Sequence, residues 1–80
     1  NGEAEIMVAE VYEGCDVVGK TLGDARFPKG AIVGAIMRKG EFVTPRHDTI
    51  FELNDMALIL SIAPSVSKVE EMFSLRVGHL

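Results

Sequence analysis

Two runs in this 80-residue chain constrain it most: AIVGAIM, Ala31–Met37, and MALILSI, Met56–Ile62. Each has the length and aliphatic content of a strand, and each is apolar at odd and even positions alike. Successive side chains of a strand point to opposite faces of its sheet, so both faces of a sheet built from these runs need cover. A chain of this length supports one domain, spanning residues 1–80, and has little left over to supply that cover.

The remaining segments define what is available. EIMVAEVY, Glu5–Tyr12, reads as a further strand, and Gly14–Val17 as a loop. In VGKTLGDARF, Val18, Leu22 and Ala25 fall on one helical face. Gly23 weakens that helix and Pro28 stops it, which leaves one or two turns starting at Gly19-Lys20-Thr21-Leu22. Lys39-Gly40 between apolar runs predicts a hairpin, because glycine accepts the positive φ of a tight turn. Its second arm, EFVT, ends at Pro45, which cannot donate to a ladder. DTIFEL, Asp48–Leu53, adds a short strand, and Asn54-Asp55 a turn. PSVSKVEEMFSL is a terminal amphipathic helix: Pro64 suits a first turn, Ser67 and Glu70 match a capping box, and Val66, Val69 and Phe73 share a face. The order strand, short helix, three strands, helix predicts an α+β fold, a mainly antiparallel sheet with both helices on one face. The uncovered face then predicts a homodimer.

Several function classes fall away. Twelve acidic side chains against eight Lys and Arg give a net charge of −4, and no basic cluster exists to bind a phosphate backbone, so nucleic acid is not a partner. Cys15 is the one cysteine; it has no intrachain disulfide partner, which points to a reducing compartment and a buried thiol. His47 and His79 are far apart, and no Cys/His spacing resembles a metal site. The apolar stretches are too short to span a membrane, and no signal peptide is visible. An opening Asn1-Gly2 in place of Met reads as a piece of a longer protein.

One motif asks for an enzyme. GCDVVGKT, Gly14–Thr21, fits G-x-x-x-x-G-K-[ST], the loop whose backbone N–H groups wrap phosphates at the start of a helix. Asp16 would set a negative charge beside a polyphosphate, and Val17-Val18 resist a tight coil. The helix after it is short, no later strand ends in a Mg²⁺-binding Asp, and 80 residues cannot build the parallel sheet such enzymes require. A small P-loop nucleotide-binding enzyme is therefore the alternative, and the start of a short helix with Lys20 in water is the preferred reading.

Val18-Gly19-Lys20-Thr21-Leu22, Pro28, Ile36–Gly40, Pro45, Asp48-Thr49, Asn54-Asp55 and Met56–Leu60 occur in an order and spacing of their own. Together they resemble the TrkA C-terminal (RCK C-terminal) domain of Trk-type potassium uptake regulators, over about Glu5 to Phe73. The closing KVEEMF, Lys68–Phe73, looks like the end of bacterial members. Two positions depart from the pattern: Arg46-His47 replaces a small residue or glycine, and Asn54-Asp55 replaces Gly-Asp. Asn and His tolerate left-handed backbone, which preserves both turns. The resemblance implies a dimerising, ligand-sensing regulatory domain without catalysis. It also implies a cytoplasmic location at the inner face of the membrane, where the assembly gates a potassium transporter. NAD(H) or ATP would bind an N-terminal Rossmann-type half, with no cofactor on the present residues. The same domain attached to another transporter is a further alternative.

Three residues are candidates for contacting a small anionic effector. Arg38 lies at the mouth of the hairpin and Arg46-His47 on a nearby loop, and guanidinium grips phosphate or carboxylate with two prongs; solvated turn charges are the plainer reading. Glu70 and Glu71 look like the wet face of a helix. Met7, Met37, Met56 and Met72 could form a soft, adaptable surface for a partner, and core filling is the preferred reading. No catalytic constellation can be named.

Overall fold

The structure, a computed structural model, describes residues 4–80; the Asn1-Gly2 opening lies outside it. Its elements run β1 (Ala4–Glu10), α1 (Leu22–Ala25), β2 (Ala31–Arg38), β3 (Glu41–Val43), β4 (Met56–Ile62), a 3-10 turn (Ala63–Ser65), α2 (Val66–Met72) and β5 (Val77–His79). The strands form one sheet in the order β3-β2-β4-β1-β5, and every neighbouring pair is antiparallel. The α+β layout expected from the sequence is therefore the one observed.

Local chemistry accounts for the boundaries. Lys39 (φ 52°) and Gly40 (φ 80°) are both left-handed, the backbone a two-residue hairpin needs to match strand twist. α1 begins later than the sequence pattern suggested. Thr21 is its cap, accepting from the Asp24 N–H at 3.0 Å, so Val18 to Lys20 precede the helix. DTIFEL forms no strand beyond an isolated Thr21–Ile50 bridge. Ser67 is not a cap either: α2 has already begun at Val66. Ser65 precedes it without a capping bond, because its hydroxyl donates to the Lys29 carbonyl. β5 has no counterpart in the sequence reading. Ser74 (φ 49°) and Leu75 (φ 70°) turn the chain back on itself without a glycine, a backbone choice that side-chain patterns do not reveal.

One sheet face carries the core. Met7, Ala9, Val11, Val17, Ile36, Phe51, Ala57, Ile59, Val69, Met72 and Phe73 are buried in a single cluster. Phe27, Phe51 and Phe73 form a triad with ring centroids 6.1 to 6.3 Å apart, the offset and edge-on spacing aromatic rings favour. The register of β2 against β4 shifts between Val33 and Ala35. This bulge at Gly34 resets the alternation, so that Ile36 joins Ala57 on the covered side. A bulge adds one residue to one strand and re-aims the side chains beyond it.

Candidate functional site

The second sheet face is apolar and open. Cross-strand pairing places Ile32 beside Leu60 and Leu60 beside Ile6, Ala35 beside Leu58 and Leu58 beside Val8, and Phe42 beside Met37 and Met37 beside Met56. On β4, Met56, Leu58, Leu60 and Ile62 are 38%, 39%, 44% and 41% exposed, while Ala57, Ile59 and Ser61 between them are fully buried. Phe42 stands 75% exposed at the β3 edge. Directly paired side chains lie about 5 Å apart, so these residues form one continuous surface. Of the four methionines read as core filling, Met7 and Met72 are buried, but Met37 and Met56 belong to this open face. The physical reason is strand parity: an even-numbered position on β4 points away from the helices.

Arg38 proves to be committed within the chain. Its Nε and Nη2 donate to the two oxygens of Asp55, each at 2.9 Å. Nη2 also donates to the Ile50 carbonyl at 2.8 Å, and Nη1 lies 3.1 Å from a Glu52 oxygen. Asp55 is fully buried and accepts in addition from the Glu52 N–H. The hydrogen bonds to Asp55 drive the guanidinium further above its already high pKa, against a smaller opposing effect of burial. The two-pronged carboxylate grip expected of this arginine thus exists, directed at the protein's own Asp55. Arg38 is therefore not a solvated turn charge: Asp55, Ile50 and Glu52 all engage its guanidinium. Asp55, read in the sequence as half of a turn pair, is the residue that pattern reading missed.

Arg46 and His47 stand apart from that pair. Both are exposed, on a loop pinned at three points. The Arg46 N–H donates to Thr49 Oγ1 at 2.9 Å, and the His47 and Thr49 carbonyls accept from the Gly23 and Leu22 N–H groups. The His47 ring lies over Gly23, where any Cβ would collide with it. Asn54 is left-handed (φ 74°), as its turn requires, whereas His47 keeps an ordinary backbone. The structure therefore leaves Arg46 and His47 exposed on one loop and turns Arg38 to Asp55.

The Gly14–Thr21 loop is no phosphate cradle. Its Cys15, Asp16, Gly19 and Lys20 N–H groups donate to the carbonyls of Tyr12, Met72, Phe51 and Val17, so four of the loop's donors, those of Gly19 and Lys20 among them, are turned to the protein itself. Cys15 and Val17 are buried, which makes the segment part of the core wall. Among the described residues, no cluster of His, Cys, Asp and Glu is arranged to hold a metal ion, and no helix is long and apolar enough to cross a membrane.

The profile of the TrkA-C domain matches residues 6–74. A Trk system potassium uptake protein TrkA homolog from Archaeoglobus fulgidus is 39% identical over 71 residues, covering 89% of this chain and 16% of that protein. The TrkA protein of Azorhizobium caulinodans is 32% identical over 73 residues, covering 91% of this chain and again 16% of the relative. The chain thus spans about a sixth of the length of these relatives. Among solved structures, the RCK_C domain dimer of S. agalactiae BusR in complex with c-di-AMP superposes with a TM-score of 0.72 at 23% identity, covering 95% of this chain and 96% of that one.

Proposed function

This chain belongs to the TrkA-C domain family, and from that premise we propose that it is a dimerising, ligand-sensing regulatory domain of a Trk-type potassium uptake protein. One observation carries the reading. On β4 Met56, Leu58, Leu60 and Ile62 face the open side, while the core side takes Ala57, Ser61 and a single large aliphatic, Ile59, which suits a strand whose open side is finished by a second copy. An isologous pair of such faces would bury the exposed rows against each other. The BusR domain, which has the same fold, is described as a dimer, and this supports association of the present chain.

For the ligand we propose a small anion of the cyclic dinucleotide class, as in the BusR complex, with Arg46 and His47 as contacts in this chain. Arg38 would shape the neighbouring loop through Ile50 and Asp55. Occupancy shifts the balance between two arrangements of the paired domains, by no more than the difference in ligand affinity between them. In the whole protein this shift gates a membrane cation transporter from its cytoplasmic side. NAD(H) or ATP belongs, on this reading, to a separate half of the protein.

Two measurements test the proposal. Light scattering of the 80-residue chain should give a dimer, and Leu60→Lys should give a folded monomer. Calorimetry with c-di-AMP should show binding that weakens when Arg46 and His47 are both changed to alanine. A wild-type monomer at high concentration sinks the dimer, and binding indifferent to the double change sinks the assigned contacts.

A further inference from the structure

The chain ends in a charged triad outside everything described so far. β5 is three residues long, lies at the sheet edge and, among the described residues, pairs only with β1. Gly78 at its centre contributes no side chain to packing. Such a strand is marginal by itself, yet three further contacts hold this segment. The first is a backbone bond at each end of the ladder, from the Leu80 N–H to the Ile6 carbonyl at 2.9 Å and from the Glu10 N–H to the Arg76 carbonyl at 3.1 Å. Arg76 sits over the Tyr12 ring at 4.0 Å and faces Glu10 at 3.7 Å. The third contact is His79, whose Nδ1 meets Glu5 Oε1 of β1 at 2.5 Å and whose Nε2 meets Glu70 Oε2 of α2 at 2.8 Å.

The chemistry of that third contact decides its protonation state. An ionised carboxylate only accepts hydrogen bonds, and a neutral imidazole has a single N–H. Two carboxylates, one at each ring nitrogen, are therefore both satisfied only by the imidazolium. We propose that His79 is a protonation-dependent latch, which as a cation ties β5 to both β1 and α2 and on losing its proton releases the strand. The charged groups facing its ring are Glu5 from β1 and Glu70 from α2, while Arg76 on its own segment is turned to Glu10 and Tyr12. The pKa follows the geometry: hydrogen bonds from Glu5 and then Glu70 raise it above the ordinary 6.5. A raised folded-state pKa gives a stabilisation fully present below 6.5, lost as pH rises through the folded-state value. The latch thus opens on the alkaline side. Its release moves Leu75 and Val77, which with Val8 and Met56 line a groove at the margin of the open sheet face.

NMR of the 80-residue chain tests this with two readouts. The His79 ring protons should titrate with a midpoint above 6.5. The protection factor of the Leu80 amide against exchange should be constant below 6.5 and fall through that midpoint. The total fall is about tenfold for each pH unit separating the midpoint from 6.5. Glu70→Gln should lower the midpoint and shrink the fall, and His79→Gln should leave Leu80 weakly protected at every pH. A midpoint at or below 6.5, Leu80 protection that ignores pH, or undiminished protection in His79→Gln would overturn the latch.

Discussion

Replacing Arg38 with Met keeps an aliphatic stem of similar length and removes the charged head. What remains is Asp55, fully buried, holding one backbone donor from Glu52 and no cation. Breaking a buried pair from one side costs about 3–5 kcal/mol. Here the arginine is 22% exposed and Glu52 lies at the surface, so water reaches the pair and the lower end, about 3 kcal/mol, applies. A domain of this length has roughly 4–12 kcal/mol of stability in all, and about 3 kcal/mol corresponds to roughly 12–24 °C in Tm. Urea unfolding at fixed protein concentration is the assay, since association contributes to apparent stability. Arg38→Met combined with Asp55→Ala should cost less than the two single changes added together, because no orphaned charge is left. A single Arg38→Met loss under about 1 kcal/mol, the value of an exposed pair, would refute the view that this pair holds the hairpin to the Ile50–Asp55 loop.

The two faces of β4 should respond oppositely to substitution. Leu60→Lys should change unfolding free energy by less than about 0.5 kcal/mol at a concentration where the chain is monomeric, while abolishing association in sedimentation. Ile59→Ala, one residue away, should cost about 2–4 kcal/mol by opening a cavity. Gly30→Ala should lower stability by about 1–3 kcal/mol in urea titration, since φ is +96° and the new methyl would lie 2.5 Å from Ile62. Lys20→Ala should leave Mg-ATP titration calorimetry as flat as for the unaltered chain, and unfolding within about 0.5 kcal/mol, because the neighbouring amides are already bonded.

The strands were legible where hydrophobic content and turn chemistry agreed. MALILSI maps onto β4 residue for residue, and Lys39-Gly40 makes the hairpin. Legibility failed where backbone choices leave no mark on side-chain type. Ser74 and Leu75 turn the chain into β5 without glycine, proline or asparagine. The capping box at Ser67 matches a helix that begins one residue earlier, at Val66, directly after the 3-10 turn of Ala63–Ser65. Asp55 could not be paired with Arg38 because the two are 17 residues apart and meet only through tertiary structure. Of the three residues proposed as anion contacts, the sequence supplied their charge but not their availability, which depends on who their neighbours are.

The partition of side-chain size between the two faces carries more than the presence of apolar residues does. Periodicity could not say which face of MALILSI would be covered, because neither face was polar. In the structure the covered side of the central strands holds Met7, Ala9, Ala57, Ile59 and Ser61, and the open side Ile6, Val8, Leu58, Leu60 and Ile62. A solitary domain gains most by burying its larger aliphatics, so this distribution works against the chain as a monomer. Small residues on the covered side do have a purpose there, since they share one buried cluster with the bulky Phe51 and Phe73. The Gly34 bulge reconciles the two demands within β2. It leaves Ile32 with Leu60 on the open side, then sends Ile36 to the covered side with Ala57. Without that extra residue Ile36 would turn outward and the core would lose a fully buried side chain. The open face is thus built into the register of the sheet itself, and no rearrangement of surface side chains could hide it.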